Sequence, residues 1–342
     1  MEKHPCFIHC RVPQIKTSEG KFELVAVPWA RPDSRFSWAF EAQIMQQIAT
    51  GTQFDKIAGS IQKDFNVITR IFNGWLHTAY KNSVLDNTLD SLGIDEIIHP
   101  VTGHHITVTV DLKNEYVIRV TPYANQRAIQ DLYEYLKQKN ISSLQIQQVT
   151  GPLSPDFAKH IKQYFPQASY CVDRFYVIQA LNIALNHTRK KEKGHTKKLT
   201  ENQDLFLMNH SLLSDEQKVT LLDLTTKFPN VGHAYKIKEA FDQLWEQSSQ
   251  QEIQKFLNTW CQPLLKSPAL APFQKLAKML ISHQKQILTV RTYPINLNTL
   301  EKVHAEILHA LSRTKGLKNI ENVSHMIYFH CGKLTMPYPV SE

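Results

Sequence analysis

Three acidic side chains in this sequence stand where a predicted element begins or ends. Asp95 lies in Ile94-Asp95-Glu96, which opens a strand, and Asp173 lies in Tyr170-Cys171-Val172-Asp173-Arg174-Phe175-Tyr176, where a strand gives way to a helix. Glu301 lies in the first turn of a late helix that runs from Leu300 to Leu311. Carboxylates that converge from separate elements can share two divalent cations, one activating a nucleophile and the other steadying a leaving oxygen. Taken singly, an aspartate is more often a solvated or structural acid, so the chemistry depends on whether the fold brings Asp95 and Glu301 together, with Asp173 starting from the neighbouring strand end. The strand end at Val149-Thr150-Gly151-Pro152-Leu153-Ser154-Pro155 carries no acid before its helix begins.

Two other clusters bear on function. Cys6 and Cys10, with His4 and His9 beside them, have the look of half a zinc ribbon. A structural zinc site takes four ligands, usually as two separated pairs. The second pair is absent here, so the cluster reads as a remnant without metal, and zinc is not expected. The stretch Arg189-Lys190-Lys191-Glu192-Lys193-Gly194-His195-Thr196-Lys197-Lys198 concentrates cations between two helical patterns. It reads equally well as a solvated loop or as a site where Arg189, Lys190 and Lys191 neutralise DNA phosphates.

Composition narrows the class. The chain has 342 residues, 42% hydrophobic and 20% charged, the make-up of a globular protein of two domains or one elaborated domain. No apolar run approaches the ~18 residues of a membrane span, so no membrane partner and a cytoplasmic location are expected. Five scattered cysteines argue against a disulfide framework. The net charge of +8 favours an anionic partner, nucleic acid first.

The elements that must position these residues follow from periodicity. Residues 1–34 are irregular, with one strand at Phe22–Val27. Residues 35–82 are helical: Phe36, Phe40, Ile44 and Ile48 recur at helical spacing, a short helix covers Phe54–Ile61, and a break at Lys63-Asp64-Phe65-Asn66 leads into a third. Short helix, tight turn and third helix make either a helix-turn-helix, with Thr69 and Arg70 presented to DNA, or an ordinary three-helix packing unit. Residues 83–198 alternate strands and helices. His105–Val110 and Tyr116–Val120 flank a hairpin turn at Asp111-Leu112-Lys113-Asn114, an amphipathic helix covers Gln126–Lys137, and Ser154 is placed to cap the next one. Residues 199–290 are nearly all helical, and residues 291–342 hold the helix of Glu301 and a helical tail. The order strand, strand, strand, helix, strand, helix, strand is that of an RNase H-like core. The expected fold is therefore α/β: a mixed five-stranded sheet with a large all-helical insertion, preceded by a small helical domain.

A dozen short matches in order carry a family resemblance. They include Val27-Pro28-Trp29-Ala30-Arg31, Arg35-Phe36-Ser37 with Phe40-Glu41, Ile94-Asp95-Glu96, Gly103-His104-His105, Val149-Thr150 with Leu153-Ser154-Pro155, and Phe165-Pro166-Gln167-Ala168. Asp173-Arg174-Phe175, Ala234-Tyr235 with Lys238-Glu239, and Arg313 with Gly316, Lys318 and Asn319 continue the series. Over almost its whole length the chain resembles insertion-sequence transposases of the ISL-three type, DDE enzymes with an RNase H-like catalytic domain. The resemblance implies binding of double-stranded DNA at terminal inverted repeats, a homo-oligomer on that DNA, and Mg2+ or Mn2+ held by Asp95 and Glu301 as first and third catalytic acids. It also implies a longer N-terminus with the other cysteine pair, so the chain reads as truncated there.

The sequence departs from that pattern at telling places. Pro152 stands where the family has its second aspartate, Tyr176 replaces the histidine of Asp-x-Phe-His, and Glu301-Lys302-Val303-His304 replaces Glu-Gly-x-Asn. Proline offers no ligand, so catalysis is expected to be impaired. The alternatives are a non-catalytic DNA-binding remnant or repressor, or a structural or partner-binding protein on a recycled RNase H-like fold.

Overall fold

The computed structural model of the chain describes residues 7, 9–32, 34–99, 102–192, 197–289, 298–314, 316–317 and 319–336. The chain divides into two compact units, one of residues 1–83 with 310–342 and one of residues 84–309.

The larger unit is built on a five-stranded sheet. Its strands are β3 (Ser91–Ile98), β4 (His105–Asp111), β5 (Tyr116–Thr121), β6 (Gln148–Gly151) and β7 (Ser169–Val172), in the spatial order β5-β4-β3-β6-β7. The first three pair antiparallel, because short turns join only antiparallel neighbours, while β6 and β7 run parallel to β3. The parallel strands need crossovers, and two helices supply them: α4 (Asn125–Gln138) between β5 and β6, and α5 (Pro155–Tyr164) between β6 and β7. The β4–β5 turn is set by Asp111, whose carboxylate accepts from the backbone N–H of Lys113 and Asn114 at 2.9 and 3.0 Å. Ser154 stands at the N-cap position of α5, but its side chain makes no capping bond.

Strand β3 begins at Ser91, three residues before the Ile94 expected from sequence, which places Asp95 mid-strand. Gly93, a weak strand former, hides that extension in the sequence. It is required by packing: a Cβ there would stand 2.7 Å from Leu112 Cδ2 and 2.9 Å from Leu300 Cδ1. Leu300 belongs to α14 (Asn298–Ser312), so Gly93 lets that helix lie close on the sheet beside Asp95. The first turn of α14 is fixed by Glu115, which accepts from Thr299 Oγ1 and pairs with Lys302 at 2.5 Å.

After β7 comes α6 (Arg174–Lys191), then the helical insertion: α7 (Lys197–Glu201), α8 (Gln203–Leu207), α9 (Asp215–Lys227), α10 (Pro229–Phe241), α11 (Gln250–Leu265), α12 (Ala271–Ser282) and α13 (Gln284–Leu288). Helices α10 and α12 pack on α6, so the insertion is a brace for that helix.

The smaller unit contains a hairpin of β1 (Gln14–Lys16) and β2 (Phe22–Leu24), then α1 (Trp38–Ala49), α2 (Phe54–Ser60) and α3 (Phe65–Asn82). The strand expected at Phe22–Val27 is thus shorter and is paired. No glycine marks the turn between α2 and α3; Gln62 takes the left-handed conformation there, with φ of 52°. A fourth helix, α15 (Ile320–Cys331), formed by the helical tail, belongs to this unit. The reason is aromatic: Tyr328 packs on Tyr80 at 4.4 Å and Phe329 meets Phe72 edge-on at 5.6 Å.

Gly93→Ala should destabilise the chain by about 1–3 kcal/mol, as overpacking of a filled core does. Urea unfolding measures it, and a neutral result would mean that α14 does not rest on β3 as described.

Candidate active site

Asp95 is buried, with 1% of its surface exposed, and both its oxygens are taken. The Tyr176 hydroxyl donates to Oδ1 at 2.5 Å, and the ring Nδ1 of His304 pairs with Oδ2. The Tyr176 oxygen in turn accepts from the backbone N–H of Glu96 at 3.0 Å. Three elements meet here: β3 supplies the acid, the first turn of α6 the phenol, and α14 the imidazole. Burial, helped by the charge of Asp95, holds the Tyr176 phenol well above its ordinary value, so it stays a donor. The bond to Asp95 raises the His304 pKa against the opposing effect of burial, with the charges of Asp95 and Glu301 adding to it. Phe175 packs against the His304 ring at 4.9 Å and closes the arrangement from one side.

Glu301 is exposed, one turn before His304 on the same helix, so it lies on the Asp95 side of the sheet. Asp173 caps α6, accepting from the Phe175 N–H at 2.7 Å. Its carboxyl is pushed up to about 7, first by burial and then by the charges of Asp95 and Glu301. Pro152 is buried, and its carbonyl accepts from the Tyr170 hydroxyl at 2.5 Å. Asp156, in the first turn of α5, is exposed to solvent.

These residues do not fit a two-cation centre. Such a centre needs several anionic oxygens with free lone pairs around one point. Asp95 has both oxygens engaged, Pro152 brings no carboxylate, and Asp173 is spent as a cap and holds a proton up to about pH 7. Among the described residues no group of three or more His, Cys, Asp or Glu side chains is placed to hold a metal ion. Cys10 is an exposed free thiol, while His4 and Cys6 lie outside the described residues.

The cationic stretch divides. Arg189 does not face solvent, contrary to the expectation of a phosphate contact: it is 3% exposed, and its guanidinium donates to Asn186 Oδ1, the Leu199 carbonyl and Gln203 Oε1. The helix expected to end before it continues to Lys191, because Leu181, Leu185 and Thr188 carry a buried face that Arg189 extends. Lys190 and Lys191 are exposed, and residues 193–196 lie outside the described residues. On α3, Arg70 is exposed and Thr69 half-buried, its hydroxyl donating to the Phe65 carbonyl at 3.1 Å.

Reading the sequence identified Tyr176 and His304 as departures without assigning them a partner. A family model described as a transposase, of the DDE ISL-three type, matches residues 92–327, which include Asp95, Pro152, Asp173, Tyr176, Glu301 and His304. No curated protein matches the chain.

Stability should fall as pH rises, through two groups. The raised His304 pKa contributes fully below the ordinary histidine value and is lost as pH climbs through the folded value. Asp173, raised from 3.8 to about 7, keeps its proton in the folded chain while the unfolded chain has lost it, so stability drops between those two values. Asp173→Asn preserves an N-cap. Relative to the unaltered chain it should gain on the order of 2 kcal/mol between about pH 5 and about pH 8, read from urea midpoints. A parallel pH dependence in both proteins would show that Asp173 is ionised in the fold.

Proposed function

This chain belongs to the ISL-three family of DDE transposases, and from that premise we propose that it binds insertion-sequence ends with its strand-cutting centre closed. The ancestral activity is cutting and joining of DNA with Mg2+ or Mn2+. The observation that carries the reading is the commitment of both Asp95 oxygens to Tyr176 and His304. Both residues are positions at which the sequence departs from the family pattern, together with Pro152 and Lys302. Loss of the second acid removes the reason for a cation at Asp95, and a buried carboxylate without one needs another partner. A phenol and an imidazole supply it.

DNA contacts are assigned to the smaller unit, with Arg70 on α3, and to the exposed Lys190 and Lys191 at the end of α6, while the Thr69 hydroxyl is already bonded to the Phe65 carbonyl. Paired ends would be held by an assembly of copies. The charge of +8 supports a phosphate-dominated affinity.

Incubated with Mg2+ or Mn2+ and a terminal-repeat duplex, the unaltered protein should nick no more than the Asp95→Ala control does. Strong nicking that disappears in the control would overturn the closed-centre reading and place Asp173 in the second acid's role. Pro152→Asp combined with Tyr176→His and His304→Asn should restore cation binding by calorimetry where Pro152→Asp alone does not. Binding to the duplex should weaken by about tenfold or more for each few phosphates contacted as salt rises from dilute to physiological; a salt-insensitive affinity would remove phosphate contacts from the account.

A further inference from the structure

The polar face of α3 is the floor of a cleft of about 580 Å³ within the smaller unit. Asn66, Thr69, Arg70, Asn73 and His77 recur at the spacing of one helix face and line it together. One wall is formed by Arg31, Pro32, Ser34, Arg35 and Phe36 and the other by α15, through Glu321 and His325.

Two observations bear on what such a cleft can take. A helix that reads bases in the major groove has to stand proud of its neighbours, and it uses free amides and hydroxyls on its outer face. Here the face is recessed between two walls. Two of its base-reading groups are also spent: the Asn73 amide donates to Asn322 Oδ1 at 2.7 Å, its oxygen meets His325 Nδ1 at 2.9 Å, and the Thr69 hydroxyl donates to the Phe65 carbonyl. What remains available is the exposed Asn66 amide at one end, charge and an aromatic ring. Arg31 is bound to the buried Glu41 through contacts of 3.1 and 3.3 Å. Arg35 and Arg70 are exposed, and among the described residues no carboxylate pairs with either. Phe36, stacked on Phe40 at 5.0 Å, lines the cleft beside Arg35.

We infer that this cleft holds an unpaired DNA strand, its phosphates on Arg35 and Arg70 and a base against Phe36, and does not place α3 in the major groove of a duplex. A groove that pairs cations with an aromatic platform is the arrangement that binds single strands with little sequence preference. The inference rests on the reading that this chain binds DNA, and it names the form of DNA taken at this face.

Fluorescence polarisation of the full chain with a short labelled oligothymidylate, a blunt duplex of the same length and thymidine monophosphate as competitor tests it. The single strand should bind more tightly than the duplex. Arg35→Ala and Arg70→Ala should each weaken it by roughly tenfold, and Phe36→Leu by a similar factor. All three side chains are at least partly exposed, and unchanged thermal unfolding of each variant separates lost contact from lost fold. Glu321→Gln, which removes an opposing charge from one wall, should tighten strand binding. Strand affinity unchanged in the variants would overturn the cleft assignment. Preference for the duplex, with interference from guanine N7 methylation, would overturn it in favour of major-groove reading and leave DNA binding standing. Full displacement by the monophosphate at the strand's own affinity would replace a strand site with a nucleotide pocket. Binding of neither DNA form would sink the inference and the DNA-binding reading together.

Discussion

The buried carboxylate of Asp95 is the constraint around which the larger unit is organised. An ionised carboxylate taken out of water is costly unless hydrogen-bonded or paired, and leaving one oxygen unsatisfied would forfeit several kcal/mol. Tyr176 and His304 meet that demand from two helices remote in sequence. Each must therefore be delivered with little error. Asp173 begins α6 directly after β7 and so places Tyr176 in its first turn, while Glu115 and Gly93 fix the start and the closeness of α14.

The helical insertion acquires a role from this arrangement. Helices α10 and α12 pack along α6, giving the helix of Tyr176 an apolar backing as well as its contact with the sheet. Arg189, at the far end of α6, works in the same direction: its guanidinium satisfies acceptors on α6, α7 and α8 and ties the end of the helix to the start of the insertion. A residue that reads as an exposed cation is thus internal scaffolding. In the smaller unit, Arg31 plays a comparable part by pairing with the fully buried Glu41, which Ser34 also contacts.

The departures from the family pattern form a physical set. A carboxyl group taken out of water either keeps its proton or takes hydrogen-bonding partners. Asp173 holds its proton to about pH 7, chiefly because it is buried, and Asp95 accepts from two hydrogen-bonding partners. Pro152 contributes its carbonyl to Tyr170 in place of any side-chain ligand. The buried polar groups of the site therefore satisfy one another.

Much of the fold was determined by the sequence alone, because alternation, turn chemistry and helical spacing are local properties. The hairpin turn at Asp111, the succession of five strands along the chain, the helical insertion and the helix bearing Glu301 follow from them. Three things did not. The start of β3 was masked by Gly93, whose presence reflects contact with Leu300 some two hundred positions away. The burial of Arg189 depends on acceptors from helices that have no sequence signature as its partners. The roles of Tyr176 and His304 were also unreadable, since hydrogen bonding to Asp95 requires three separated segments to converge within bonding distance. Residue types and local periodicity fix which elements form; only tertiary packing decides which side chains meet, because that depends on distances between segments that no local pattern encodes.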